Sequence, residues 1–185
     1  MSHRDQTADP PEEQPLRVPD PGEGVTAPAP GREIAPGELA AVREEISELE
    51  TDAPRVGIVM GSKSDMDVML AAARELEARG IGHELRVMSA HRDPDTVAEY
   101  ARNAHMRGLR AIIAGAGLAA ALPGVVAAHT DLPVIGVPLT AANSAAGGLD
   151  ALLAIAQMPP GVPVACVGLN AARNAGALAA RILAA

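Results

Sequence analysis

The sequence predicts an α/β fold, a three-layer domain with a five-stranded parallel sheet in flavodoxin-like order. From residue 54 onward, short apolar runs alternate with segments of helical periodicity, and five such pairs follow one another. Because right-handed crossovers join parallel strands, five strand–helix units leave few other arrangements. In addition, 48% of the residues are hydrophobic but only 1% are aromatic. The core must therefore consist mainly of small aliphatic side chains, which suit strands buried under helices on both faces.

Four of the predicted strands are short, mainly apolar runs that end near glycine, proline or a polar residue, and the second, 83–87, contains polar residues as well. The predicted strands are 55–59, 83–87, 111–114, 133–137 and 162–167. Pro138 is expected to end the fourth. A helix is predicted after each strand, and these helices end near residues 79, 107, 129, 157 and 183. Asp93 at an N-cap followed by Pro94 marks the start of the second helix, and Asn170 is expected to cap the last one.

The first 53 residues differ in composition from the rest of the chain. They hold 13 acidic and 4 basic side chains, and this excess of acidic residues accounts for the overall net charge of −8. They also hold eight of the 16 prolines. Such a segment has too little apolar surface to offset its ordering entropy. We expect residues 1–53 to form an acidic, proline-rich and mostly disordered leader, with a short helix at 37–50. Residues 54–185 are expected to form the α/β domain.

Composition also limits the function classes. The single cysteine, Cys166, rules out an intramolecular disulfide and fits a reducing compartment. No His, Cys, Asp and Glu grouping has the spacing of metal ligands, so no metal site is expected. No apolar stretch approaches the roughly 18 residues of a membrane span, and no basic patch with stacking aromatics indicates nucleic-acid binding. We expect a cytoplasmic protein that binds neither membranes nor nucleic acid.

Polar or glycine-rich segments follow the first four predicted strands, at 61–65, 89–92, 115–117 and 138–148. Ligands of such sheets bind outside the carboxyl ends of the strands. The first segment, Gly-Ser-Lys-Ser-Asp, places hydroxyl groups and free backbone N–H groups at a helix start, where they can hold an anion such as phosphate. An ordinary capped turn would have a similar sequence.

The second segment contains the histidine that we predict to transfer protons. His91 adjoins Arg92, whose guanidinium can hold a phosphate through two hydrogen bonds, and Ser89 adds a hydroxyl. A solvated loop histidine is the alternative interpretation. The third segment, Gly-Ala-Gly at 115–117, lacks the third glycine and the acidic residue of a dinucleotide-binding fingerprint, and it is expected to let the backbone approach a flat ligand.

Taken together, the segments resemble the class I N5-carboxyaminoimidazole ribonucleotide mutases (PurE) of purine biosynthesis. The resemblance spans residues 55 to about 183, essentially the whole predicted domain. Its motifs, in chain order, are Gly-Ser-Lys-Ser-Asp (61–65), Ser-Ala-His-Arg-Asp-Pro (89–94), Gly-Ala-Gly (115–117), Leu-Pro-Gly (122–124), Gly-Val-Pro (136–138) and Gln-Met-Pro (157–159).

The resemblance implies a homo-octamer without metal or organic cofactor, acting on a ribonucleotide and CO2. It implies an isomerase reaction with a lyase-like half: a carbamate on an exocyclic nitrogen is lost as CO2, which is recaptured at a ring carbon. By position, His91 is the general acid/base that moves the proton. The residues assigned to the substrate are Ser62, Ser64, Asp65, Ser89, Arg92, Gly115, Ala116, Gly117 and Leu122.

The sequence departs from the family pattern after the third strand. Where the family has Gly-Ala-Gly-Gly-Ala-Ala-His-Leu-Pro-Gly, Leu118 replaces a glycine and Ala121 replaces a second active-site histidine. The phosphate end of the site is retained while the base end is altered. Three hypotheses follow: a remodelled mutase, a paralogue that carboxylates or decarboxylates a different heterocyclic ribonucleotide in specialised metabolism, and a non-catalytic nucleotide-binding homologue.

Overall fold

A computed structural model describes residues 53–185, together with Gly37 and Ala40. Five parallel strands form one sheet in the order β2-β1-β3-β4-β5, the flavodoxin-like order. The predicted fold class is confirmed. The strands are β1 (Val56–Met60), β2 (His83–Val87), β3 (Ala111–Gly117), β4 (Val134–Leu139) and β5 (Ala165–Cys166).

Five α-helices connect and follow the strands. They are α1 (Met66–Glu77), α2 (Pro94–Asn103), α3 (Leu122–Ala127), α4 (Leu149–Ala156) and α5 (Ala172–Ala184). Short 3-10 helices at Lys63–Asp65 and Ala145–Gly148 precede α1 and α4. Within residues 53–185, no helix has both the length and the apolar character that crossing a membrane demands.

Alternation along the strands divides the core into two halves, one on each face of the sheet. Ile58 and Ile113 pack with α1 and α5, whereas Val59 and Ile112 pack with α2, α3 and α4. All four side chains are fully buried. This is the three-layer arrangement expected of a parallel sheet whose strands are covered on both sides.

Small residues allow the layers to approach closely where aromatic side chains are lacking. A Cβ at Gly176 of α5 would lie 2.8 Å from the backbone oxygen of Ala72 in α1. A Cβ at Gly57 of β1 would overlap the hydroxyl of Tyr100. These glycines therefore fix the spacing between helix and helix, and between helix and sheet.

Two strands extend further than the sequence predicts. β3 runs through the Gly-Ala-Gly segment to Gly117, and β4 runs through Pro138 to Leu139. Proline is tolerated there because the Pro138 carbonyl accepts a hydrogen bond from the Asn170 backbone N–H (2.8 Å), on the side where β5 has already ended. The N–H and C=O of one strand residue point to the same side of the strand. The N–H that Pro138 lacks would therefore have pointed past the end of β5, so its absence removes no hydrogen bond between strands.

Other boundaries are shorter, and one predicted cap is wrong. The fifth strand contains two residues rather than six, and the third helix begins at Leu122 rather than near 119. Asn170 does not cap α5: Ala171 holds that position, and the Asn170 side chain binds Thr140 instead. Of the predicted leader helix, Gly37 and Ala40 are helical. The other residues of that predicted helix lie outside the described part of the chain.

Candidate active site

A cavity of about 180 Å³ lies at the carboxyl ends of β1, β2 and β3. This is the edge at which parallel α/β sheets bind ligands. The lining residues come from the end of β3 and from the loops that follow these three strands, together with the first residue of α3. They are Gly61, Ser62, Asp65, Ser89, Ala90, His91, Ala116, Gly117, Leu118, Ala120, Ala121 and Leu122.

The loop after β1 is held in shape by a capping box. The Ser62 hydroxyl accepts a hydrogen bond from the Ser64 backbone N–H (3.3 Å), and the Asp65 carboxylate accepts one from the Ser62 backbone N–H (3.1 Å). The Ser64 hydroxyl donates to the Ser62 hydroxyl at 2.9 Å. Reciprocal bonds of this kind fix the entry into a helix. The two hydroxyls are therefore adjacent, and Ser62 lines the cavity.

The loop after β2 begins at the end of the strand and turns into α2. The Ser89 carbonyl accepts hydrogen bonds from the backbone N–H groups of Arg92 (3.2 Å) and Asp93 (2.9 Å). Asp93 caps α2 by accepting from the Thr96 N–H at 3.2 Å, and hydrogen bonding from Thr96 lowers the pKa of the Asp93 carboxyl group. His91 is exposed at the apex of this turn and faces the cavity.

Arg92 joins the two loops. Its Nη2 donates to the Gly61 carbonyl at 2.9 Å, and the side chain remains exposed. The planar guanidinium has five N–H groups, so others stay available for an anion. Ser62 lines the cavity, and Arg92 and Ser64 adjoin it through their hydrogen bonds to Gly61 and Ser62. We call this part the polar end of the cavity.

The loop after β3 forms the opposite, apolar wall. The Ala120 backbone N–H donates to the Gly117 carbonyl (3.0 Å), and both Leu118 and Ala120 have positive φ angles, 55° and 40°. A Cβ at Gly117 would lie 2.9 Å from the Leu139 carbonyl oxygen, so only glycine fits beside β4. Ala121 then leads into α3 with helical backbone angles.

Most of the predicted site residues meet at this cavity. Ser64 and Arg92 are adjacent to it through Ser62 and Gly61, whereas Gly115 lies buried within β3. A Cβ at Gly115 would overlap the Met69 side chain, so this glycine is required by the packing of α1. The sequence analysis did not single out Gly61, Ala90 and Ala120, although each is adjacent to a predicted site residue.

The other described histidines lie away from the cavity lining. The His83 ring nitrogen Nδ1 lies 3.4 Å from the Ile81 carbonyl oxygen, and that of His129 lies 2.8 Å from the Val125 carbonyl oxygen. Among the residues that the structure describes, no group of three His, Cys, Asp or Glu side chains could hold a metal ion. The chemistry that this site can supply is anion binding together with proton transfer by one imidazole.

A second, larger cavity of about 780 Å³ lies at the opposite edge of the sheet, where β4 and β5 begin. Its lining includes Arg102, His129, Asp131 and Ile182. It contains none of the predicted site residues, and it is distant from the carboxyl ends of the strands. Size alone therefore does not identify the functional site of this domain.

Comparison with known proteins agrees with this geometry. Residues 55–185 match the family model of AIR carboxylase. An N5-carboxyaminoimidazole ribonucleotide mutase from Thermotoga maritima is 60% identical over 130 residues, which cover 70% of this chain and 75% of that protein. A protein of the same name from Mycobacterium leprae is 58% identical over 133 residues, covering 72% of this chain and 77% of its own length.

Solved structures show the same relationship. The crystal structure of Treponema denticola PurE superposes with a TM-score of 0.63 and 32% sequence identity, covering 71% of this chain and 80% of that one. The family match extends over the complete sheet and all three loops of the cavity. The chain therefore belongs to the AIR carboxylase family.

Proposed function

We propose that this protein is an isomerase of purine biosynthesis, which converts N5-carboxyaminoimidazole ribonucleotide to 4-carboxyaminoimidazole ribonucleotide. The observation that supports this most directly is the pairing of an anion-binding end with His91 in one cavity at the carboxyl edge of the sheet. Relatives at 53–60% identity bear the name N5-carboxyaminoimidazole ribonucleotide mutase, which describes this reaction.

The ribose phosphate of the substrate would bind at the polar end. Ser62 offers a hydroxyl donor, which the Ser64 hydroxyl supports by donating to it, and Arg92 offers the N–H groups that the Gly61 carbonyl leaves free. Charge-assisted hydrogen bonds of this type are shorter and stronger than neutral ones. The base of the substrate would then occupy the rest of the cavity, which Gly117 and His91 line.

The reaction needs only one proton shuttle. The carbamate N–C bond breaks, its electron pair returns to the exocyclic nitrogen, and CO2 forms. The ring carbon then attacks CO2 and forms a C–C bond, and the proton lost from that carbon passes through His91 to the exocyclic nitrogen. Atoms and charge balance without an added oxidant, reductant or metal, and general acid–base help of this type is typically about 10²–10⁴-fold.

The altered wall of the cavity supports a second candidate function. Leu118 and Ala121 line the cavity without any hydrogen-bonding side-chain atom, where the family pattern has glycine and histidine. A paralogue that moves CO2 on a different heterocyclic ribonucleotide would use the same phosphate end with this apolar wall. A non-catalytic nucleotide-binding homologue would have no use for His91 at the cavity.

The assembly and the environment belong to the same proposal. We propose a homo-octamer in the cytoplasm, with a folded domain from residue 54 preceded by the acidic leader. Leu149, Leu153 and Leu169 are 40–45% exposed around the start of α4 and would gain from burial against another copy. Light scattering at micromolar concentration checks this, and a monomer mass would contradict it.

The proposed function is tested by measuring substrate turnover with the purified protein. N5-carboxyaminoimidazole ribonucleotide is expected to be converted without added metal, and the gene is expected to complement a purine auxotroph that lacks the mutase. Absence of turnover together with tight binding of another ribonucleotide would favour the second candidate. Binding of ribonucleotides without turnover of any of them would favour the non-catalytic nucleotide-binding homologue.

A further inference from the structure

The acidic leader joins the domain at the amino edge of the sheet, where two turns hold the junction. The backbone oxygen of Ala53 lies so close to Gly82 that an added Cβ would approach it to 2.8 Å. The Arg55 N–H donates to the Gly82 carbonyl at 2.8 Å. The Pro54 carbonyl oxygen would lie 3.9 Å from a Cβ at Gly108. The junction is therefore fixed between the turn before β2 and the turn before β3.

Three arginines lie around this junction. The Arg110 N–H donates to the Arg55 carbonyl at 2.8 Å, so the two residues are direct neighbours. They immediately precede Val56 and Ala111, which pair in register between β1 and β3. Arg107 belongs to the turn before β3, and all three arginines are exposed. We call Arg55, Arg107 and Arg110 the arginine cluster.

The described part of the chain supplies little negative charge to this cluster. Arg107 binds Glu84 at 2.8 Å, but Glu84 also binds Arg86 at 3.3 Å, so its charge is shared. The other two arginines of the cluster form no ion pair with any carboxylate of residues 53–185. Neighbouring like charges repel one another, and an anion between them relieves that repulsion.

The segment that leads into the junction has the opposite charge. Residues 42–52 contain one basic side chain, Arg43, and five acidic ones, which are Glu44, Glu45, Glu48, Glu50 and Asp52. A chain spans at most about 3.6 Å per residue, so residues 48–52 stay within about 25 Å of Arg55. A short tether of this kind gives an effective concentration on the order of millimolar.

We infer that residues 42–52 bind over the arginine cluster and act as an anionic ligand built into the chain. Two observations support this: the complementary charges, and the fixed junction that delivers the segment to the cluster. The inference goes beyond the proposed isomerase function, whose site lies at the opposite edge of the sheet. A segment bound there would also keep other anions away from the cluster.

The distribution of lysine allows a direct test on the full-length protein. Lys63 is the only lysine of the chain, and it is exposed in the loop after β1, at the carboxyl edge. Arg110→Lys keeps the charge and adds one amine to the arginine cluster. A carbodiimide joins an amine to a carboxylate in contact with it, taking up the elements of water as the amide bond forms. Mass spectrometry of the digest identifies the joined residues.

The amine at position 110 is expected to cross-link to residues 42–52 several times more often than Lys63 does. Arg74→Lys is the matched control, because Arg74 is exposed in the last turn of α1 and lies outside the cluster. The yield at position 110 should fall several-fold from 0.1 M to 1 M NaCl, since the Debye length shortens from about 10 Å to about 3 Å. Equal yields at positions 110, 74 and 63, or a yield at 110 that salt leaves unchanged, would overturn the inference.

A second measurement asks whether the segment excludes other anions from the cluster. Neutralising it by Glu44→Gln, Glu45→Gln, Glu48→Gln and Glu50→Gln is expected to raise the salt concentration at which heparin, a sulfated polyanion, releases the protein. The control makes the same change in net charge further from the junction, by Asp5→Asn, Asp9→Asn, Glu12→Gln and Glu13→Gln. It should have a clearly smaller effect.

Equal effects of the two neutralised variants would show that net charge alone governs heparin binding, and would overturn the inference. Adding Arg55→Gln and Arg110→Gln to the first variant should abolish its gain, and a gain that persists would count against the cluster in the same way. Neither measurement uses turnover, so loss of the proposed isomerase function would leave this inference standing.

Discussion

Arg92 donates a hydrogen bond from Nη2 to the Gly61 carbonyl at 2.9 Å, across 31 positions of sequence. This bond ties the loop after β2 to the loop after β1, which are neighbours because β1 and β2 pair in register. It fixes an exposed cation at the carbonyl of Gly61, the residue before Ser62. Since the donor is charged and its acceptor is a fixed backbone atom, the guanidinium is held in place before any ligand binds.

Replacing Arg92 by lysine is expected to weaken ribonucleotide binding about tenfold. A single ammonium cannot reach the Gly61 carbonyl and a phosphate with the geometry of a planar guanidinium. The loss of one charge-assisted hydrogen bond is worth about 1.5 kcal/mol, near the tenfold value. Calorimetric titration measures the dissociation constant. Arg86→Lys, an exposed arginine of β2 paired with Glu84, is the control and should leave affinity unchanged; equal affinity in both variants would remove Arg92 from the phosphate site.

The phosphate itself should account for most of the ligand stabilisation. A ribonucleotide is expected to raise the Tm, whereas its nucleoside should raise it little at the same concentration. Stabilisation follows RT ln(1 + [L]/Kd), so 100-fold excess over Kd gives about 2.7 kcal/mol. Ser62→Ala should reduce the Tm increase caused by the ribonucleotide, because it removes a hydroxyl that would bind the phosphate, and should not change the increase caused by the nucleoside. Equal shifts from nucleoside and nucleotide would show that these hydroxyls serve only as helix caps.

His91→Asn is expected to lower kcat by about 10²–10⁴-fold and to leave ribonucleotide affinity within a few-fold. The amide keeps a polar side chain at the exposed apex of the turn but cannot transfer a proton at neutral pH. Rapid-quench turnover and equilibrium titration separate the two effects. His105→Asn, another exposed histidine outside the cavity lining, should behave as wild type. Turnover of His91→Asn close to wild type would transfer the proton-moving role to another group.

Local sequence patterns predicted the parts of the site whose geometry is also local. The Asp93 cap followed by Pro94 involves residues within three positions of one another and forms as expected. The segment 61–65 begins a helix as predicted, and the structure adds the Ser62 capping box there. Their positions at the carboxyl edge follow from the parallel sheet. The strand order and the meeting of the first three loops could be predicted for the same reason, because both follow from a parallel sheet.

Contacts between distant segments explain the differences. The sequence ended β3 before Gly115 because glycines are typical of loops, but these glycines are needed within the strand, beside Met69 and Leu139. Asn170 has the composition of a helix cap, yet its side chain accepts a hydrogen bond from the Thr140 N–H (3.0 Å) and donates to the Thr140 hydroxyl (2.7 Å). No short-range pattern distinguishes a local cap from a partner 30 residues away.

The Asp93 cap predicts a pH dependence of stability. Hydrogen bonding from Thr96 lowers the pKa of Asp93 in the folded state, so the ionised carboxylate favours folding. Its contribution is fully present above the ordinary Asp pKa and is lost as the pH falls through the lowered value. Asp93→Ala is expected to reduce the Tm by a few degrees at pH 7, and the difference from wild type should shrink toward pH 3.

Thermal melts across this pH range check the prediction. Asp95→Ala is the control, because Asp95 lies in the first turn of the same helix but is not the cap. It should produce a smaller change. A difference between wild type and Asp93→Ala that stays constant from pH 7 to pH 3 would show that the charge of the cap is not involved.

Burial is expected to make Cys166 slow to alkylate. Its pKa is raised by burial, and its thiol lies 3.4 Å from the Val167 carbonyl oxygen. The thiolate is the reactive form, so less of it is present at neutral pH than for an ordinary cysteine. Iodoacetamide labelling followed by mass spectrometry should be slower in the native protein than in urea. Equal rates in the two conditions would contradict the protection.

Restoring a histidine at position 121 tests what the altered wall means. Ala121 is partly buried, lines the cavity and has helical φ and ψ angles of −70° and −23°, so a larger side chain fits its backbone. If the protein is a weakened mutase, Ala121→His should increase turnover of N5-carboxyaminoimidazole ribonucleotide. A hydrogen bond from imidazole to the migrating carboxylate is worth about 1.5–3 kcal/mol, or roughly tenfold or more in rate.

Ala119→His is the matched control for this experiment. Ala119 is two residues away and exposed, but it does not line the cavity, so its replacement should not change turnover. Acceleration by Ala121→His alone would place the new imidazole at the reacting carboxyl group. If wild type is inactive on this substrate and Ala121→His does not rescue it, the apolar wall formed by Leu118 and Ala121 must serve another ring. Binding assays with other heterocyclic ribonucleotides would then identify the substrate, because the phosphate end of the cavity is common to all of them.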